Sequence, residues 1–200
     1  MLDIISKFFL TFARSEILVP LSLFGYIFHD KNKWIRIIYI MLFGTIFVTY
    51  LKSIWQIPLA PWVKSDGWAF PSGHMFVACV FYLQISREIQ KRWVTNLVYI
   101  ILLNEAYGLV QQKYHIMRDV AGALGFAIIT LYFYNMLTKR PFFQNRPEFL
   151  IIVLLPLSLI LTILLPSIQP HVIHSLAGLV GFSLVACVHK KLAMMRQNKA

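Results

Sequence analysis

The sequence predicts an all-α polytopic membrane protein, a single bundle of about six transmembrane helices. Hydrophobic residues make up 58% of the 200 and charged residues 14%, against roughly 45–50% and 25% in soluble domains. The apolar residues fall in long blocks, and a helix of about 20 crosses the ~30 Å hydrocarbon layer of a bilayer. The basic residues collect between those blocks rather than along one face. Such a bundle is one folding unit, so residues 1–200 are read as a single membrane-embedded domain without internal repeats.

The N-terminal stretch 4–12 is apolar with Asp3, Ser6 and Lys7 interspersed. It reads either as an interfacial helix followed by a span from 17–28, or as one tilted span over 4–28 that accommodates Arg14 and Glu16. Those two charges interrupt the run before any small-residue cleavage site, so the segment is expected to be retained rather than removed as a signal peptide. The later blocks run 34–55, 72–85, 94–110, 116–137, 149–167 and 172–188. The second of these is short, and flanking residues must complete it.

Orientation follows from the 19 basic residues. Thirteen lie in the segments 31–36, 87–92, 139–146 and 190–199, and the other six are Lys7, Arg14, Lys52, Lys64, Lys113 and Arg118. The positive-inside rule places the larger set in the cytoplasm. A net charge of +11 distributed this way fits anionic headgroups and gives no nucleic-acid surface. All five tryptophans read as interfacial packing, Trp34 and Trp93 at the inner boundary and Trp55, Trp62 and Trp68 at or beyond the outer one. Cys79 and Cys187 read as small packing residues. Gly122 with Gly125, and Gly178 with Gly181, read as close helix contacts. Asn104 and Glu105, polar within a span, are expected to face the bundle interior. His171 and His174 lack a carboxylate nearby in sequence and read as polar lining rather than metal ligands.

The span order brings Lys52, His74, His115 and Asp119 to one face of the membrane. Pro71-Ser72-Gly73-His74 has the form of a helix N-terminus, where the amides of Ser72 and Gly73, beside the positive end of the helix dipole, suit an anion. His74 in the first turn is placed to give a proton to a leaving oxygen. His115 and Asp119 stand four apart, so on a helix they share a face. A carboxylate there fixes the imidazole tautomer and leaves the other nitrogen basic, as a nucleophile requires. A histidine nucleophile and a histidine acid are sufficient for phosphoryl transfer without a metal.

These residues resemble a family. Lys52, Pro71-Ser72-Gly73-His74 and His115-Ile116-Met117-Arg118-Asp119-Val120-Ala121-Gly122 are similar to the three signature blocks of the type 2 phosphatidic acid phosphatase superfamily, over residues 52–125. The resemblance implies that His115 attacks phosphorus and becomes a phosphohistidine, with Asp119 orienting it. His74 protonates the leaving group, and Lys52, Ser72 and Gly73 hold the phosphate oxygens. It implies no metal and no organic cofactor, and a phosphomonoester or diphosphate on a membrane lipid or polyprenyl carrier as substrate. The pattern departs at two positions, where Leu59 and Leu109 stand in place of arginines that would clamp phosphate bidentately. Lys64, Lys113 and Arg118 are the remaining basic residues on that face apart from Lys7 and Arg14. Some branches that transfer phosphorylated headgroups between lipids also lack both arginines, so transfer is the alternative to hydrolysis; a non-catalytic lipid-binding protein is the third reading. The expected location is a bacterial inner membrane with the site on the periplasmic or exterior face.

Overall fold

A computed structural model of the protein describes residues 2–63 and 67–197. Lys64 and Lys199, used above for orientation, lie outside the described residues, and so does the side chain of Arg196.

Helix α1 (Leu2–Leu10) runs through a 3-10 turn (Thr11–Ala13) into α2 (Ser15–Phe28). The two arms are bent by 56°, with Arg14 extended at the break (φ −86, ψ 150). The segment is therefore two helical arms on either side of a break, not one straight helix over 4–28. Next come α3 (Lys31–Trp55), α4 (Gly73–Ile89), α5 (Arg92–Gln111) and α6 (Met117–Thr138). A short α7 (Pro141–Asn145) and a 3-10 turn (Pro147–Leu150) lead into α8 (Ile151–Ile163) and α9 (Pro170–Gln197). Each apolar block of the sequence is helical over most of its length, and the short one gains its length from residues up to Ile89. Among the described residues four helices are long and apolar enough to cross a membrane, or five if the bent pair counts as one span. This is compatible with an integral membrane protein. Among the described residues the extended pairing is a single bridge, Pro58 with Trp68.

The helix limits follow from local chemistry. Asp30 caps α3, its carboxylate accepting from the amides of Asn32 (3.0 Å) and Lys33 (3.3 Å), which satisfies two of the donors that a helix start leaves free. Gln56 and Gln90 end α3 and α4 in the left-handed region (φ 45 and 56), returning their amides to Lys52 and Ser86 carbonyls. Helix α3 is central: 61% of its most apolar window is buried, against 28–39% in α5, α6 and α9. Helix α4 packs against α3, α5 and α6, with Phe76, Cys79, Val80 and Phe81 fully buried. On the outward faces Leu103, Phe133 and Ile163 are 64–79% exposed, a surface that lipid covers without cost and water does not.

One end of the bundle is tied by polar side chains. Arg36 donates to both Glu88 oxygens (2.8 and 2.7 Å), Tyr134 donates to the Arg36 carbonyl (2.7 Å), and Lys190 pairs with Glu148 (2.8 Å). These bonds gather one end each of α3, α4, α6 and α9, where the larger basic set lies. Lys52, His74 and His115 occupy the opposite ends.

Close approaches fall at one glycine of each expected pair. A Cβ on Gly122 would lie 2.2 Å from the Phe70 ring, and one on Gly178 would lie 3.2 Å from Leu42, but Gly125 and Gly181 face open space. Only one glycine of each pair makes a close contact, because the neighbours are side chains rather than a parallel helix backbone. Trp34, expected at the interface, is 5% exposed, packed over Gly25 where a Cβ would be 1.9 Å from its ring. Gly25→Ala is therefore expected to destabilise by about 1–3 kcal/mol through overpacking, whereas Gly125→Ala should stay within about 0.5 kcal/mol of wild type. Thermal unfolding in detergent reads both, and equal melting temperatures would refute the packing account.

Candidate functional site

The site is built where the C-terminal ends of α3 and α5 meet the N-terminal ends of α4 and α6. Helix α6 begins at Met117, with Ile116 extended before it. His115 therefore sits in the preceding loop and not on the helix, which corrects the expected i, i+4 pair. The two residues still meet, because the loop turns back: the amides of Tyr114 (3.1 Å) and His115 (3.2 Å) both donate to the Leu109 carbonyl. His115 Nδ1 stands 3.4 Å from Asp119 Oδ2, a long contact for a hydrogen bond. Asp119 is 2% exposed. Its Oδ2 also accepts from the Ile116 amide (3.4 Å), and its Oδ1 from Arg118 Nη2 (3.3 Å). One carboxylate thus caps α6 and fixes the imidazole. Asp119→Asn is expected to fold, since it keeps an acceptor for the cap, yet to lose about 10⁴-fold in turnover through the wrong tautomer. Asp119→Ala should in addition lose about 1 kcal/mol of stability. Turnover and melting temperature of the two variants separate these effects; an Asn variant with wild-type turnover would rule out the orienting role.

A cavity of about 610 Å³ opens at this end and is lined by Lys52, Gly73, His74 and His115. The Lys52 ammonium donates to the Trp68 carbonyl, and its stem reaches Gly73, where an added Cβ would lie 3.4 Å from Cε. Lys52 therefore stands beside the N-terminus of α4, as anion binding needs. Ser72 does not serve as expected: it is fully buried, its amide donates to the Asp119 carbonyl (3.0 Å), and its residue lines neither cavity. The amide is consumed in joining α4 to α6, so the open donors of this terminus start at Gly73. Burial, reinforced by the positive charge of Lys52 and opposed by Asp119, lowers the His115 pKa to about 4. His115 is therefore neutral at ordinary pH.

The apolar wall of the cavity includes Leu18, Met41, Leu42 and Val77, and its polar wall includes Thr49, His171 and His174. The Thr49 hydroxyl donates to the Thr45 carbonyl (2.8 Å), so the 2.9 Å contact with His171 Nε2 has the imidazole as donor. His171 and His174 are thus polar lining of this same cavity. Among the described residues, no group of three or more His, Cys, Asp or Glu is placed to hold a metal ion.

A second cavity, about 320 Å³, is also lined by His74 and His115, together with Arg14, Glu105 and Tyr114. Leu59 and Leu109, the two positions where the sequence departs from arginine, line it too. Arg14 enters from the break before α2. Neither Arg14 nor Glu105 was assigned a role from the sequence, yet both carried a readable signal as charges inside apolar stretches. Lys113 is exposed and Arg118 is bound to Asp119, so neither takes the place of those arginines.

No family model, curated protein or solved structure matches the chain. The functional reading rests on the residues themselves.

Proposed function

We propose that the protein is a metal-independent lipid-phosphate phosphatase of the type 2 phosphatidic acid phosphatase superfamily. The observation that carries this reading is one cavity wall shared by Lys52, Gly73, His74 and His115, with Asp119 behind His115. The lipid chain lies along the apolar wall of the larger cavity. Lys52 and the open amides at the start of α4 hold the phosphoryl oxygens, where charge accumulates in the loose transition state of phosphoryl transfer. Neutral His115 attacks phosphorus, its developing positive charge balanced by Asp119, while His74 gives its proton to the leaving oxygen. Water, deprotonated by His74, then attacks the phosphohistidine and releases phosphate.

The test is phosphate release from a panel of lipid phosphates, in EDTA, by purified protein. Release identifies a phosphatase, a new lipid without free phosphate identifies a headgroup transferase, and neither product leaves the lipid-binding reading.

In this reading the chain makes about six spans in a bacterial inner membrane, preceded by an N-terminal interfacial helix, and the site opens on the periplasmic or exterior face. The basic segments at the far end of the bundle support that orientation. In a background lacking Cys187, an impermeant thiol reagent should label Lys113→Cys in intact spheroplasts and Arg140→Cys only after permeabilisation. The opposite pattern would turn the site to the cytoplasm.

A further inference from the structure

The second cavity is unused in the mechanism above, although both histidines border it. Glu105 lines it with 0% of the residue exposed, and among the described residues neither carboxylate oxygen has a hydrogen-bond partner. The neighbouring Asn104 gives its amide to the Ile100 carbonyl (2.7 Å) and offers Glu105 nothing. A buried acceptor without a donor is costly, and native structures rarely leave one so. Arg14 lines the same cavity without bonding these oxygens, so the carboxylate stands open to a donor that enters it.

The rest of the cavity narrows what that is. Arg14 supplies a guanidinium, and it is brought there by a close helix contact. At Gly108 an added Cβ would meet Leu10 Cγ and the Ser6 carbonyl, each at 3.2 Å, so α1 reaches α5 only because this residue has no side chain. The 56° bend then sets Arg14 at the cavity. The space is many times larger than one water molecule. It thus offers a cation for phosphoryl oxygens, an acceptor for a hydroxyl or amine, and both histidines.

We propose that this second cavity is an acceptor site for a small polyol or amino alcohol, one donor of which anchors on Glu105 while a hydroxyl attacks the phosphoryl group carried by His115. This rests on the phosphohistidine reading of the site. The step balances: the N–P bond to His115 breaks, the acceptor O–P bond forms, and the hydroxyl proton goes to His74, which lost its own to the first leaving group. Arg14 faces the phosphoryl oxygens through the transfer.

The experiment supplies glycerol or methanol, at equal hydroxyl concentration, to the full-length protein turning over a lipid phosphate. Ethanolamine is run as a third arm to separate an amine anchor from a hydroxyl anchor. The reading is phosphorylated acceptor formed per lipid alcohol released, a ratio independent of overall rate. Wild type should favour glycerol or ethanolamine over methanol by at least tenfold, and Glu105→Leu should bring that preference close to one. Glu105→Gln, which keeps the side-chain size, should give an intermediate value. No preference in wild type, or the same preference in both variants, overturns the acceptor site while lipid release stands. Absence of lipid release from wild type overturns the phosphohistidine reading and the acceptor site together.

Discussion

His115→Ala is expected to abolish release of phosphate and of any transfer product, a loss of at least about 10⁴-fold, as when a covalent nucleophile is removed. The substitution should leave the fold intact. Among the described residues the His115 side chain makes one hydrogen bond, a long one to Asp119 at 3.4 Å, while the loop is held by backbone bonds to Leu109 that alanine retains. Wild-type protein quenched during turnover should carry acid-labile phosphate, and the variant none. The low pKa of His115, about 4, adds a pH signature. The imidazole is neutral above that value, so acidification from pH 7 to 5 does not protonate the nucleophile, and its acid limb in kcat/KM falls near pH 4. An alanine variant that still turns over would displace His115 from the reaction altogether.

Lys52→Ala is expected to lower kcat/KM by about 10²–10³, the usual cost of one positioned donor at developing oxyanion charge. Lys52 is the cation of the larger cavity that packs directly on the start of α4, and the loss of the Ser72 amide to Asp119 leaves fewer donors to share the phosphate. Lys113→Ala should be nearly silent. Arg118→Ala should be intermediate, since it removes a 3.3 Å partner of Asp119 without touching the cavity. Lys52→Arg should recover part of the loss, its charge being kept and its planar fork fitting less well. Wild-type kinetics in Lys52→Ala would mean that phosphate binds elsewhere, with Arg14 the next cation to test.

Much of this was legible in the sequence because it is local. The apolar blocks became helices, since a backbone in lipid must satisfy its own hydrogen bonds. Lys52, His74 and His115 share a cavity because consecutive helix ends return to the same side. The i, i+4 spacing of His115 and Asp119 pointed to the right contact through the wrong geometry: the pair is made by a loop folded over a helix start. The Ser72 amide was misassigned because sequence shows which donors a helix start leaves free, and not which of them a neighbouring helix takes.

Composition and order by themselves determined the helical class, the basic end and the opposite polar end, and the set of residues proposed to move a phosphoryl group. Only the tertiary structure decided which distant side chains join that set. Arg14 and Glu105 reach the two histidines through a bend in one helix and a glycine contact in another. Such convergence depends on how closely two helices pack at one residue, which no periodicity along the chain encodes. The junction of α4 with α6 seals Ser72 and the contact of α1 with α5 brings Arg14 to the second cavity, so the extent of the site, unlike its central residues, is a property of the folded bundle.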